Sequence, residues 1–144
     1  FFRETVTPYG VKPTLVHELT RHALPLLRER TPAARNRFFQ ELWKSGMYEE
    51  GMLAVYLARR FTRECGPCEF NLWERWLDRY VGNWAHCDGI SMHLIGAAIA
   101  RHPELADRVE PWTLSPNLWK RRMRPRRLFD GGAVMATVSV VSSA

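Results

Sequence analysis

The segment Gly82-Asn83-Trp84-Ala85-His86-Cys87-Asp88-Gly89, which precedes the largely apolar run 90–100, decides the fold of this chain. Asn83 is a suitable N-cap for a helix that runs to about residue 101. Because the later part of this helix is apolar on most sides, we expect it to be packed between neighbouring helices. One helical turn then places the Trp84 ring beside the Asp88 carboxylate on one face.

Amphipathic helical patterns fill most of the remaining sequence, and no β-alternation occurs before residue 130. Pro25 lies inside the first pattern and predicts a kink or a break there. Trp43, Trp73 and Trp76 are expected in the core. We therefore predict an all-α protein of consecutive helical pairs, as in an α-solenoid. The predicted helices cover about residues 13–28, 31–45, 47–63, 70–81, 83–101, 102–109 and 117–124.

The C-terminal tail differs from the rest of the chain. After Gly131-Gly132 the sequence is small, β-branched and uncharged, and it has no partner strand in the chain. We predict a helical domain at 1–124 and an irregular tail at 125–144 that is poorly ordered or foreign to the domain. The chain begins at Phe1 without an initiator Met, which suggests a fragment or a processed protein.

Composition restricts the class of partner and the compartment. The chain has 144 residues, a formal net charge of +6 and a pI of about 9.7. This balance favours binding to nucleic acid or another anionic surface, although many basic proteins bind neither. No apolar run approaches the roughly 20 residues of a membrane span, and no secretory signal is visible. We therefore expect no membrane association, a cytoplasmic location and reduced thiols.

A basic run near residue 120 contains no acidic residue and is flanked by Trp112 and Trp119. Such a density of cations can neutralise several phosphates and gives salt-dependent binding. The alternative interpretation is a solvated helix face. The basic side chains are Lys120, Arg121, Arg122, Arg124, Arg126 and Arg127.

The pattern Cys65-Gly66-Pro67-Cys68 resembles a thioredoxin-type dithiol, but it joins two predicted helices where that motif needs a preceding strand. A zinc site would combine these two cysteines with His86 and Cys87, whose adjacent side chains point in different directions on a helix. A tight turn is the favoured interpretation. The remaining histidines considered, His17, His22, His93 and His102, have no spacing typical of a metal site.

The pair Trp84 and Asp88 has two interpretations from the residues alone. A carboxylate near the positive end of a helix is favoured as a fixed anion, which suits stabilisation of positive charge in a transition state. Alternatively, Trp84 belongs to the core and Asp88 is an ordinary polar residue.

The order of several landmarks resembles that in DNA alkylation repair proteins of the AlkD type, which are DNA glycosylases built of HEAT-like repeats. The resemblance covers about residues 9–124. The landmarks are Tyr9-Gly10-Val11-Lys12, Glu41-Leu42-Trp43, Glu49-Glu50, Asn83-Trp84-Ala85-His86-Cys87-Asp88 and Trp112-Thr113-x-Ser115-x-Asn117-x-Trp119-x-Arg121-Arg122.

The resemblance implies a right-handed superhelix of HEAT-like pairs that excises cationic N3- and N7-alkylated purines from duplex DNA, as a monomer and without cofactor or metal. Asp88 would stabilise the oxocarbenium-like sugar and orient water, Trp84 would pack against the deoxyribose, and Arg122 would hold a phosphate near the lesion. Further DNA contacts are expected from Trp119, Lys120, Arg121, Arg124 and Lys12.

One departure from the family pattern leaves an alternative function open. The family's solenoid normally continues for several helices beyond Trp-x-x-Arg, whereas this chain runs into Pro125 and the tail. The DNA-facing surface is therefore expected to be incomplete. The alternative is a non-catalytic helical-repeat module that binds nucleic acid or an acidic protein.

Overall fold

In the computed structural model, which describes residues 5–123, every regular element is helical. Arg124 and the predicted tail 125–144 lie outside the described residues. The α-helices are α1 (Pro13–Arg28), α2 (Pro32–Lys44), α3 (Tyr48–Arg59), α4 (Pro67–Arg79), α5 (Trp84–Ile90), α6 (Gly96–Arg101), α7 (Ala106–Val109) and α8 (Leu118–Arg122). Short 3₁₀ turns occupy Thr62–Glu64, Pro103–Leu105 and Glu110–Leu114, and a π-helical turn occupies Ser91–Ile95.

Local sequence signals explain where the helices begin and end. Proline occupies the first helical position of α1, α2 and α4, where its missing N–H removes no hydrogen bond. The Thr31 side chain caps α2 by accepting a hydrogen bond from the Ala34 N–H at 3.2 Å. Gly46, with a φ of 73°, makes the left-handed turn between α2 and α3.

The prediction that Pro25 breaks the first helix is wrong, because α1 is one helix from Pro13 to Arg28. Pro25 removes the bond that the Arg21 carbonyl would accept. Both residues are solvent-exposed, so water can take the place of the missing N–H.

Helix packing produces a row with a second layer behind it. α3 contacts α1 on one side and α5 on the other, and α8 contacts α5 in turn. α2 packs against α3, and α4 packs against α5, the π-helical turn and α8. Trp43, Trp73 and Trp76 are buried between these helices, as predicted. The arrangement is consistent with the predicted α-solenoid.

The predicted fifth helix is present but is not uniform. It begins as α5, passes through the π-helical turn Ser91–Ile95 and continues as α6 to Arg101. Most of its residues after Gly89 are buried, as its composition predicted. Among the residues that the structure describes, no helix has both the length and the apolar character needed to cross a membrane.

Candidate functional site

Asn83 sets the start of α5 and hence the orientation of its side chains. Its backbone is extended, with φ −150° and ψ 160°, and its Oδ1 accepts a hydrogen bond from the His86 N–H at 2.9 Å. This confirms the predicted N-cap. Trp84 is therefore the first residue of α5, and Asp88 follows one turn later on the same face.

His86 ties the start of α5 to the start of α3. Its Nδ1 lies 3.0 Å from Asn83 Nδ2 and its Nε2 lies 2.8 Å from the Tyr48 carbonyl oxygen. The Asn83 amide is a donor and the Tyr48 carbonyl an acceptor, so this geometry fits a neutral ring that carries its proton on Nε2. Burial lowers the pKa of His86 despite the opposing effect of the Tyr48 hydrogen bond. The ring is thus a structural connector.

Gly51 allows this close approach of α3 and α5. A Cβ atom at Gly51 would lie 2.7 Å from His86 Cε1 and 2.8 Å from Trp43 Cζ3. The His86 ring also stacks on Tyr48, with centroids 5.0 Å apart, and meets Trp43 edge-on at 4.9 Å. There is no space for a side chain at Gly51, which the sequence analysis did not recognise.

Asp88 and Arg122 form a two-bond ion pair between α5 and α8. Arg122 Nε donates to Asp88 Oδ1 at 3.0 Å, and Arg122 Nη2 donates to Asp88 Oδ2 at 3.2 Å. About a third of each side chain is exposed, at 30% for Asp88 and 32% for Arg122. Trp84, one turn before Asp88, is 42% exposed and is therefore not a core residue. The structure thus brings the predicted carboxylate and arginine together.

Lys120 contacts acidic residues of α4. Its Nζ lies 3.1 Å from Glu74 Oε1 and 2.8 Å from Asp78 Oδ2, and its side chain is only 12% exposed. Burial alone would lower the pKa of Lys120, but the hydrogen bonds to Asp78 and Glu74 raise it above its ordinary value. The premise that the basic run lacks acidic partners is therefore wrong, because the partners come from other helices.

The other predicted DNA-contacting residues occupy varied positions. Arg121 Nη1 donates to the carbonyl oxygens of Ser115 at 2.7 Å and Pro116 at 2.9 Å, so it fixes the turn before α8. Trp119 is partly buried against the core, and Lys12 is exposed just before α1. Their contribution to DNA binding stays a prediction.

Two landmarks that are distant in sequence meet at the start of α3. The backbone N–H groups of Tyr9 and Gly10 donate to the two carboxylate oxygens of Glu49 at 2.8 and 3.0 Å. Burial alone would raise the pKa of Glu49, but these donors and neighbouring N–H groups hold it below its usual value. The Tyr9 hydroxyl also donates to Glu50. These contacts fasten the N-terminal segment to the helix that supports α5.

The cysteine pattern forms a helix start. Gly66 is the N-cap of α4, and its N–H donates to Glu69 Oε2 at 3.0 Å. Cys65 is buried, and burial, with a smaller effect of Glu69 and Glu64, raises the pKa of its thiol to about 12. A dithiol nucleophile needs the opposite shift. Within residues 5–123 no three His, Cys, Asp or Glu side chains gather in a way that could hold a metal ion.

Comparison with known proteins gives one family. Residues 1–124 match the family model described as DNA alkylation repair enzyme. No curated protein and no solved structure matches the chain.

Proposed function

The chain belongs to the DNA alkylation repair enzyme family, and on that premise we propose that it is a monofunctional DNA glycosylase. Its substrate is duplex DNA that contains cationic N3- or N7-alkylated purines. Water attacks C1′, and the electrons of the broken N-glycosidic bond neutralise the departing base. Because that base is already a good leaving group, the remaining task is to stabilise the oxocarbenium-like sugar and to position water.

The observation that carries this proposal is the two-bond ion pair of Asp88 and Arg122, one helical turn from the partly exposed Trp84. A carboxylate held by two parallel hydrogen bonds has a fixed orientation. A fixed anion needs no reorganisation while positive charge develops beside it. In the proposed reaction Asp88 faces the sugar and orients the attacking water, and Trp84 packs against the deoxyribose.

Arg122 has a second task in this proposal, which is to hold the phosphate next to the lesion. A guanidinium carries five N–H donors in a planar fork, so one arginine can contact a carboxylate and a phosphate together. The pairing with Asp88 then links phosphate binding to the position of the carboxylate. We expect the lesion-side phosphate and the sugar to be placed by one connected pair of side chains.

Base release from methylated duplex DNA tests the proposal, with Asp88→Asn compared with the parent chain. The parent is expected to release 3-methyladenine or 7-methylguanine faster than spontaneous loss. Asp88→Asn is expected to lower the single-turnover rate by roughly 10²-fold, since it removes the fixed charge. Asp107→Asn is the matched control, because Asp107 is exposed on α7, away from the α5–α8 pair. No release by the parent, or equal rates for both variants, would contradict the proposal.

A second candidate function is a helical-repeat module that binds without catalysis. Lys120, Arg121 and Arg122 all bind carboxylates or carbonyls of the protein itself, which is also the pattern of a purely structural joint. In that case DNA binding is retained without base release. Asp88→Asn would then lower only the free energy of unfolding.

A further inference from the structure

An open groove of about 590 Å³ lies between α1 and α3, at the end of the helix row that is opposite to α8. This volume is large enough to receive part of a ligand. We call it the α1–α3 groove. Its lining residues are Thr14, His17, Glu18, Thr20, Arg21, Leu24, Tyr56, Arg59 and Arg60.

The α1–α3 groove carries positive charge that the protein does not neutralise internally. Arg21 from α1 and Arg59 and Arg60 from α3 are all exposed, and Glu18 is the one carboxylate among the lining residues. Within residues 5–123, none of the three arginines forms an ion pair with a carboxylate. This contrasts with Lys120, which is bound to Glu74 and Asp78. The unpaired cationic charge therefore lies here and not on the described part of the predicted basic run.

A flat wall accompanies these charges. The rings of His17 and Tyr56 stack across the two helices, with centroids 4.6 Å apart and an interplanar angle of 22°. Stacked rings have a fixed orientation and little conformational freedom to lose when a ligand binds. A flat wall beside three arginines fits a sugar–phosphate strand better than it fits a compact small anion, which would need convergent donors on several sides.

The α1–α3 groove belongs to the same row of helices as Asp88. Arg59 lies close enough to His93, in the π-helical turn after α5, to add to the effect of burial in lowering the pKa of that histidine. Arg59 is therefore on the side of α3 from which α5 is reached. A long ligand can span from this groove toward α5 along the row.

We propose that the α1–α3 groove binds the phosphodiester backbone of duplex DNA at a point separate from Arg122, an inference that rests on the DNA glycosylase function proposed above. Arg21, Arg59 and Arg60 each contact phosphate, and the stacked pair His17 and Tyr56 borders the strand. This groove anchors the duplex without reading its sequence, because phosphate contacts carry no base information.

The test measures binding of undamaged duplex DNA by fluorescence anisotropy over a range of salt concentrations. The groove variant is Arg21→Gln/Arg59→Gln/Arg60→Gln. The control is Arg37→Gln/Arg75→Gln/Arg79→Gln, which changes the net charge equally at exposed positions on α2 and α4. Thermal melting confirms that both variants fold, since all six side chains are on the surface.

The groove variant is expected to bind about tenfold or more weakly near 0.1 M salt and to lose about 2–3 from the slope of log K against log salt concentration, as each phosphate contact contributes ~0.9. The control is expected to keep most of its slope. Equal losses in the two variants, or no loss in either, would overturn the proposal. The binding assay needs no base release, so failure of the glycosylase function would appear separately in the Asp88→Asn experiment.

Discussion

α5 meets α3 on one side and α8 on the other, and the two interfaces differ in kind. Toward α3 the contact is buried and uncharged, with His86 seated against Gly51. Toward α8 the contact is polar and partly exposed: Asp88 pairs with Arg122, and the Cys87 thiol donates to the Trp119 carbonyl oxygen at 3.4 Å.

This difference separates the two proposed catalytic side chains by the kind of support that they have. Close packing holds the helix that carries Asp88, and such packing is insensitive to salt. Ion pairs hold the helix that carries Arg122, and partly exposed ion pairs weaken as salt concentration rises. We therefore expect the carboxylate to keep its place under conditions that loosen the arginine.

The largest effect is expected from Gly51→Ala, which attacks the α3–α5 interface. The added methyl group would lie 2.7–2.8 Å from His86 and Trp43 atoms, so these rings would have to move. We expect the free energy of unfolding to fall by about 3 kcal/mol, measured by urea denaturation. Gly82→Ala is the control, because no atom lies within 4 Å of its added methyl group. Similar stabilities for the two variants would refute the description of this interface as close-packed.

Lys120→Gln attacks the docking of α8 and should have an intermediate effect. It removes two charged hydrogen bonds, to Glu74 and Asp78, in a partly shielded position. We expect a loss of roughly 1–2 kcal/mol at low salt that shrinks at about 0.5 M NaCl. Lys44→Gln is the control, since the pair of Lys44 with Glu41 is exposed and within one helix. A loss that does not depend on salt would contradict the electrostatic account of α8.

The smallest expected effect concerns pH and again the α3–α5 interface. The pKa of His86 is lowered by burial, so the unfolded chain binds a proton more readily than the folded chain. Stability is then complete above the unfolded pKa of about 6.5 and falls as the pH drops below it, by at most about 1.4 kcal/mol per pH unit.

Urea unfolding of the parent between pH 7.5 and 5.5 measures this slope. His86→Gln should flatten it more than His93→Gln does, because His93 also has a lowered pKa but is only partly buried. The lowered pKa of Glu49 acts at lower pH and does not interfere. An unchanged slope in His86→Gln would mean that another group titrates.

Features that depend on neighbours in sequence could be predicted. The caps Thr31 and Asn83 accept hydrogen bonds from residues three positions later, and a helix start is recognisable from that spacing alone. The spacing of Trp84 and Asp88 follows from the helix geometry in the same way. The all-α fold and its core therefore follow from patterns within single helices.

Features that depend on distant partners could not be predicted from such patterns. The basic run has no acidic residue in its own segment, whereas Glu74 and Asp78 reach Lys120 from α4, 46 and 42 residues away. His86 was considered as a metal ligand because its acceptor, the Tyr48 carbonyl, lies 38 residues earlier. Neither partner leaves a signal in the local sequence, so only the packed helices identify it.

The π-helical turn Ser91–Ile95 makes the end of α5 sensitive to chain length. A π-helical turn contains one residue more than the α-helical turn that it replaces. Removing one residue there would restore a regular helix, yet it would rotate everything that follows by about 100° relative to Asp88. Ile99, now buried, would then be turned from its present direction. Single-residue deletions at this place therefore test the rotational phase of the helix rather than the identity of any side chain.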